Sequence, residues 1–148
     1  MSEIKNLLVA TDFSTHSEAA VRMATQLAKT FNATVHLVHA FDTPIPIFTP
    51  YEVVVPDGFL EQARDSATRS LHASRDKIQA ESVSVKAHLT EGPAASAIAR
   101  AAEELGADLI VMGTRGNTGL KHVVLGSVAE RTIRLAPCSV LTVKTPDE

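Results

Sequence analysis

Short apolar runs recur along the chain, with helical patterns between them. The runs cover residues 7–10, 35–40, 109–112 and 140–143, and a further stretch at 82–89 alternates apolar with polar residues. Strands that alternate with helices are typical of βαβ units, whose strands pair in parallel. The pattern therefore predicts an α/β fold.

Helical spacing of apolar residues predicts a helix after each of the first three strands. The first helix begins at a capping box, Thr15 followed by Glu18, and runs to about Phe31. The third begins at Pro93 and ends before Gly106. The second places its apolar residues on one stripe, which comprises Leu60, Ala63, Ala67, Leu71 and Ile78. These helices should pack against the sheet.

The strands differ in how continuously apolar they are, and this difference predicts their order. The runs at 7–10 and 109–112 are apolar throughout, as strands covered on both faces must be, so they belong in the middle of the sheet. The alternating stretch at 82–89 is typical of an edge strand, and the last strand should form the other edge. We expect one domain over residues 1–148, a doubly wound five-stranded parallel sheet in the order 3-2-1-4-5 with helices on both faces.

This strand order creates a crevice at the carboxyl ends of the first and fourth strands, where ligands usually bind. The loop after the first strand contains Asp12, and the loop after the fourth carries Gly113, Gly116 and Gly126 before Ser127. Glycines let backbone N–H groups approach phosphate oxygens, and Ser127 should open a helix whose amino end favours an anion. Neither the P-loop nor the G-x-G-x-x-G fingerprint fits this spacing. We predict a phosphate-binding loop of a different class.

Each of these residues also has a plainer interpretation. Gly113 could simply turn the chain out of the fourth strand, and Ser127 with Glu130 is also a capping box. Asp12 could be a turn residue that precedes the first helix. The glycine spacing together with an opposed Asp12 favours phosphate binding over these separate explanations.

Four segments of the chain resemble the universal stress protein family, in the branch that carries an ATP-binding motif of this glycine spacing. They are VATDFS at 9–14, LVHAFD at 37–42, GADLIVMGTRG at 106–116 and PCSVLTVK at 137–144. The likeness covers essentially the whole chain. It implies an adenine nucleotide alpha-hydrolase-like fold and a nucleotide in the crevice.

The resemblance also implies a role for each residue of the crevice. Asp12 would contact the adenosine portion, Ala10 and Ala40 would border the adenine, and Met112 would pack beside the nucleoside. The phosphate side would comprise Gly113, Arg115, Gly116, Gly126, Ser127, Val128 and Ala129. Its first two glycines would line the ribose and α-phosphate, its arginine would add charge, and its last four residues would meet the outer phosphates through N–H groups and one hydroxyl.

The same resemblance implies the ligand and the assembly. The ligand would be ATP, with ADP or AMP as alternatives, and any Mg²⁺ would be held through the phosphates and water. A homodimer would form through the C-terminal strand, which begins at Ser139, ends at Lys144 and should leave an open edge.

The family role is that of a nucleotide-dependent regulatory or stress-response protein with at most slow ATP hydrolysis, acting on a protein partner that the sequence does not identify. Two alternatives stay open: a true ATPase or phosphotransferase, and a protein-interaction module with a vestigial pocket.

Composition argues against several other classes of function. The net charge is −3, the basic residues are scattered, and aromatic residues make up 4% of the chain, so we expect no nucleic-acid partner. No apolar run approaches the roughly 20 residues that cross a bilayer, and the amino terminus has no apolar signal region. The lone Cys138 cannot form an intrachain disulfide. We expect a cytoplasmic protein that does not enter the membrane.

Two further features have weaker interpretations. His36 and His39 look like a metal pair, but their spacing on a strand predicts opposite faces, so shared coordination is not expected. The proline-rich stretch 42–58, with Phe48 and Tyr51, is either a lid or partner contact near the crevice or a segment packed over the helices.

Overall fold

The computed structural model describes residues 3–42, 57–115 and 125–146. Strands and helices alternate through these residues, which confirms the predicted βαβ organisation. The strands are β1 (Asn6–Ala10), β2 (Thr34–Phe41), β3 (Val85–Glu91), β4 (Leu109–Gly113) and β5 (Ser139–Val143). The helices are α1 (Thr15–Phe31), α2 (Phe59–Gln79), α3 (Ala94–Leu105) and α4 (Ser127–Leu135). Phe48 and Tyr51 lie outside the described residues.

The strands form one sheet in the order β3-β2-β1-β4-β5, and every neighbouring pair is parallel. This confirms the predicted order. The central strand β1 pairs on both sides, so that Leu8 stands opposite His36 on β2 and Ile110 on β4. Strands β3 and β5 are the two edges, as their patterns predict.

Two separate apolar clusters cover the faces of the sheet because successive strand side chains point in opposite directions. One cluster joins Leu7 and Val9 of β1 to residues of α1 and α2. The other joins Leu8 to residues of α3 and α4. The three central residues of β1 are fully buried, which is why none of them is polar: Leu7, Leu8 and Val9.

The start of α1 differs from the prediction by one residue. Ser14 is the N-cap: its backbone is extended, with φ −77° and ψ 164°, and its hydroxyl oxygen accepts the Ser17 N–H at 3.3 Å. The predicted capping box is wrong because Thr15 is already the first helical residue. The predicted end is confirmed, since Asn32 follows Phe31 in the left-handed conformation and its N–H bonds to the Ala28 carbonyl.

Helix α2 buries less of its predicted stripe than its pattern suggests. Leu71 and Ile78 are buried, but Leu60 is 43% exposed. The helix has 21 residues and is therefore about 31 Å long, whereas β3 has seven residues and spans only about 23 Å. The difference corresponds to about five residues, so the first turn of α2, which contains Leu60, extends past the sheet.

Strand β3 begins later than predicted. Ser82 has a φ of 63°, so the chain is still turning out of α2 where the alternating pattern begins. Val83 is buried without belonging to the strand, and β3 starts at Val85. Its alternation is confirmed, because the apolar residues Val85 and Leu89 pack on the cluster beneath α1 and α2.

A chain of hydrogen bonds links three strands on the face covered by α3. His36 Nδ1 lies 3.0 Å from His88 Nε2, and His36 Nε2 lies 3.2 Å from the Asn6 side-chain oxygen. Because that oxygen can only accept, His36 carries its proton on Nε2 and its Nδ1 accepts from His88. His39 faces the other side and bonds to the Thr11 carbonyl at 2.8 Å, which confirms that the two β2 histidines share no site.

Burial is the main cause that lowers the pKa of His36 below its ordinary value of 6.5, followed by His88 and Lys86. Burial and then Lys86 also lower the pKa of His88. Below pH 6.5 the unfolded chain therefore binds protons on both rings before the folded protein does. The stability that the two neutral histidines contribute is therefore fully present above pH 6.5. It is lost as the pH falls from 6.5 to their lower pKa values in the folded protein.

We therefore expect the urea midpoint to fall between pH 7.5 and pH 5.5, and to fall less in His88→Gln. Glutamine can still donate to His36 Nδ1 but does not titrate, so one of the two linked protons is removed. Chemical unfolding at both pH values measures this, with His72→Gln on the exposed surface of α2 as the control. Identical pH dependence of the urea midpoint in the wild type and His88→Gln would contradict the assignment of part of that dependence to His88.

Candidate functional site

A cavity of about 270 Å³ opens at the carboxyl ends of β1 and β4. It is close to the lower end of the roughly 300–1,000 Å³ that small-molecule pockets occupy. Every predicted site residue except Gly116 lines it: Ala10, Asp12, Ala40, Met112, Gly113, Arg115, Gly126, Ser127, Val128 and Ala129. Gly116 lies outside the described residues. The structure therefore gathers these predicted residues around one space.

The floor of the cavity is apolar. Ala10, Met112 and Ala129 are almost wholly buried and contribute to it, together with Ile98 from α3. The two small alanines leave room, while Met112 offers a polarisable surface. This floor suits a flat, weakly polar group.

Asp12 is held in a tight turn at one wall. Its Oδ1 accepts the Ser14 N–H at 3.0 Å and also the Ser14 hydroxyl. Its own N–H bonds to Ser17 Oγ at 3.3 Å. The turn interpretation is therefore confirmed, and the same turn places Asp12 on the lining of the cavity.

The start of α4 forms the opposite wall. The Gly126 N–H donates to the Thr114 carbonyl at 2.6 Å, which joins the amino end of α4 to the end of β4. Gly126 is the N-cap and has no side-chain cap bond, while Ser127 is the first helical residue. The alternative interpretation of Ser127 as a capping residue is therefore wrong, and its hydroxyl lines the cavity.

The electrostatics of this wall favour an anion. The first N–H groups of a helix have no acceptor within the helix, and here these belong to Ser127, Val128 and Ala129. Glu130 is the acidic residue of the first turn, but its carboxylate bonds to Arg134 at 2.8 Å. Exposed N–H donors at a helix start can therefore bind a phosphate or carboxylate here.

A larger concavity, of about 460 Å³, lies between α1 and α2 and shares Thr11 with the cavity at the crevice. Its charged lining is balanced, with Glu18 and Glu81 against Arg22 and Lys77. Within the described part of the chain, no group of three or more metal-ligating side chains forms a metal site. No helix among the described residues is long and apolar enough to cross a membrane.

The amino-acid sequence matches the family model for the universal stress protein family over residues 3–144. The chain belongs to the universal stress protein family. Among its relatives, the universal stress protein MJ0531 of Methanocaldococcus jannaschii is 38% identical over 146 residues, which cover 96% of this chain and 83% of that protein.

Solved structures of universal stress proteins share the fold. The hypothetical protein MJ0577 aligns with a TM-score of 0.79 and 26% identity, covering 99% of this chain and 100% of that one. A universal stress protein in complex with cAMP aligns with a TM-score of 0.73 and 24% identity, covering 97% and 98%. The Archaeoglobus fulgidus protein in complex with dAMP aligns with a TM-score of 0.70 and 23% identity, covering 97% and 100%.

Sequence reasoning missed several cavity residues of this universal stress protein. They are Thr11, Ser17, Val38, His39, Ala94, Ile98 and Thr114. The two α3 residues could have been found, because Pro93 marks the start of a helix that must begin at the same edge of the sheet. Thr11, His39 and Thr114 are adjacent to predicted positions. Val38 lies two residues before Ala40, and Ser17 lies in the first turn of α1.

The two described glycines of the loop also serve packing. A Cβ on Gly113 would lie 2.8 Å from the backbone oxygen of His16, and one on Gly126 would lie 3.1 Å from the Thr114 oxygen. Gly113 is thus needed for the close approach of β4 to α1, whatever the cavity binds. This packing requirement differs from the plainer interpretation, in which Gly113 turns the chain out of the fourth strand.

We expect Gly113→Ala to lower the free energy of unfolding by about 1–3 kcal/mol, because the clash is with helix backbone that cannot rotate away. Gly126→Ala should cost less, since its contact is looser and lies in a loop. Urea unfolding of both variants measures the difference. If Gly126→Ala lowered the free energy of unfolding by as much as Gly113→Ala or more, the contact of Gly113 with α1 would not be the tighter of the two contacts.

Proposed function

We propose that this protein binds an adenine nucleotide in the cavity and acts as a nucleotide-dependent regulatory protein. The observation that carries the proposal is the pairing of an apolar floor with a helix amino terminus on one wall and Asp12 on the other. The apolar floor suits the base of a nucleoside, and the helix amino terminus suits a phosphate. The Asp12 carboxylate can accept a hydrogen bond from a ribose hydroxyl. The complexes of related folds with cAMP and dAMP support an adenine ligand.

In the proposed orientation the adenine lies over Met112, bordered by Ala10 and Ala40. Asp12 contacts the adenosine portion, since its carboxylate can accept from a hydroxyl. The apolar residues that line the cavity together with Asp12 support this arrangement.

The phosphates would extend towards the start of α4. Gly126, Ser127, Val128 and Ala129 would supply N–H groups and one hydroxyl, while Arg115 adds positive charge. Gly113 and Gly116 would lie along the ribose and the first phosphate. The ligand we propose is ATP, with ADP and AMP as the shorter alternatives, and Mg²⁺ held through the phosphates.

We propose that nucleotide occupancy, not turnover, is the signal. The described residues at the phosphate end contribute mainly backbone donors, whereas rapid phosphoryl transfer requires a positioned nucleophile and concentrated positive charge. The proposed setting, a stress response in the cytoplasm, rests on family membership. Many hydrolytic turnovers per site with Mg²⁺ would instead indicate an ATPase.

Calorimetric titration with ATP, ADP and AMP, each with and without Mg²⁺, tests the binding claim. We expect saturable binding of at least one nucleotide, and roughly tenfold weaker binding by Ser127→Ala because one hydrogen bond to a charged phosphate is lost. Ser66→Ala, on the exposed surface of α2, is the matched control. Affinities weaker than millimolar for all three nucleotides would refute the proposal.

We also propose a homodimer through β5, the C-terminal edge strand predicted to begin at Ser139 and end at Lys144. The strand is paired on one side only, by β4, and its residues from Val140 to Val143 are half-buried. The observed strand ends at Val143, one residue before the predicted end, and contains no charge or proline, so its edge can pair with a second copy.

Analytical ultracentrifugation should therefore give twice the chain mass of 15.8 kDa. Thr142→Lys should shift the protein towards monomer, because a lysine on an edge strand opposes pairing. Ser66→Lys on α2 should leave the dimer intact, and circular dichroism would verify that both variants are folded. A monomer at every concentration would rule the interface out.

A further inference from the structure

Phe13 holds an unfavourable backbone conformation next to the cavity. Its φ is 66°, in the left-handed region, and it is the bulkiest described residue with a positive φ. A non-glycine residue in that region is strained and persists only where its surroundings enforce it. Some interaction must therefore hold Phe13 in place.

His39 supplies that interaction from β2. The Phe13 and His39 rings lie 4.4 Å apart between centroids and are tilted by 35°, an offset contact that aromatic rings favour. The His39 Nδ1–H donates to the Thr11 carbonyl at 2.8 Å. One side chain thus contacts the residue before Asp12 and the residue after it.

The rest of the turn depends on the same residues. Phe13 N–H donates to Thr11 Oγ1 at 3.1 Å, and Thr11 N–H donates to the Val38 carbonyl at 2.9 Å. The turn is thereby fastened to β2, a strand with neighbours on both sides. These contacts fix the backbone on both sides of Asp12, and the two bonds from Ser14 hold its side chain.

We propose that Phe13 and His39 are positioning residues that fix Asp12 in its ligand-binding orientation. This inference rests on the proposed nucleotide function. Phe13 lines the groove between α1 and α2 and is not among the residues that line the nucleotide cavity, so its effect on the ligand is exerted through Asp12. His39 lines that cavity as well, and Phe13→Ala is therefore the variant that isolates the effect on the turn. The strain at Phe13 is retained because it preorganises the turn before the ligand arrives.

The test measures AMP affinity by calorimetry in Phe13→Ala, His39→Ala and the double variant. Each single change should weaken AMP binding about tenfold, as expected if the turn relaxes by roughly the energy of the strain. The double variant should be no weaker than the weaker single one, because either change releases the same turn. Phe13→Tyr retains the ring and should bind within about twofold of the wild type.

Phe31→Ala, at the exposed end of α1, is the control for loss of a phenyl ring and should leave AMP affinity unchanged. Urea unfolding of every variant separates the two effects, since a merely structural role would lower stability while folded protein still bound AMP normally. If His39→Ala does not fold, His39→Gln removes the ring contact with a smaller loss of volume.

Two outcomes overturn the inference in distinguishable ways. If the wild type binds AMP and the single variants bind it equally well, Phe13 and His39 do not position Asp12, and the proposed function stands. If the wild type binds no adenine nucleotide at all, the proposed function fails, and this inference fails with it.

Discussion

The complete burial of β1 is the constraint on which the rest of the structure depends. Leu7, Leu8 and Val9 expose nothing to solvent, so the strand requires a helix layer on each face and a strand on each edge. Strands β2 and β4 fill the edges, which sends the chain out of β1 in one direction and out of β4 in the other. The crevice between their carboxyl ends is a direct result of burying that one strand.

The crevice becomes a site because three different local structures meet there. The Asp12 turn, the end of β4 and the start of α4 each make their own local hydrogen bonds. Residues of all three also line the same cavity. The Gly126 N–H donates to the Thr114 carbonyl and so joins α4 to the end of β4. The N–H groups of the next three residues have no acceptor within the helix. Packing and binding requirements coincide at Gly113 as well, where β4 passes close to α1.

The strand order could be predicted from the sequence because hydrophobic periodicity reports burial directly, whereas most of the cavity residues are implied by the resemblance to the universal stress protein family. Details set by competition between neighbours could not. Ser14 and Thr15 are adjacent hydroxyl residues, and which one caps α1 depends on where the Asp12 turn ends. Likewise, the pattern of α2 does not reveal that the helix is longer than the sheet beneath it, which leaves Leu60 exposed.

The features that the sequence conceals most completely are backbone conformations and the partners that stabilise them. The residues around Phe13 do not predict its left-handed backbone conformation. In the sequence His39 looks like a metal ligand paired with His36, whereas in the structure it bonds to the Thr11 carbonyl. Ser127 is equally ambiguous, because Glu130 three residues later imitates a capping box although the actual cap is Gly126. Three-dimensional contacts decide each of these cases.

The central claim is that an adenine nucleotide lies across the crevice with its phosphate at the start of α4. Backbone amide chemical shifts recorded during titration with AMP test it most directly, because they report the position of the ligand residue by residue. We expect the largest changes at Asp12 and at Ser127, Val128 and Ala129, and no change at Ala73 in the groove between α1 and α2. Largest changes in that groove, or none at α4, would contradict it.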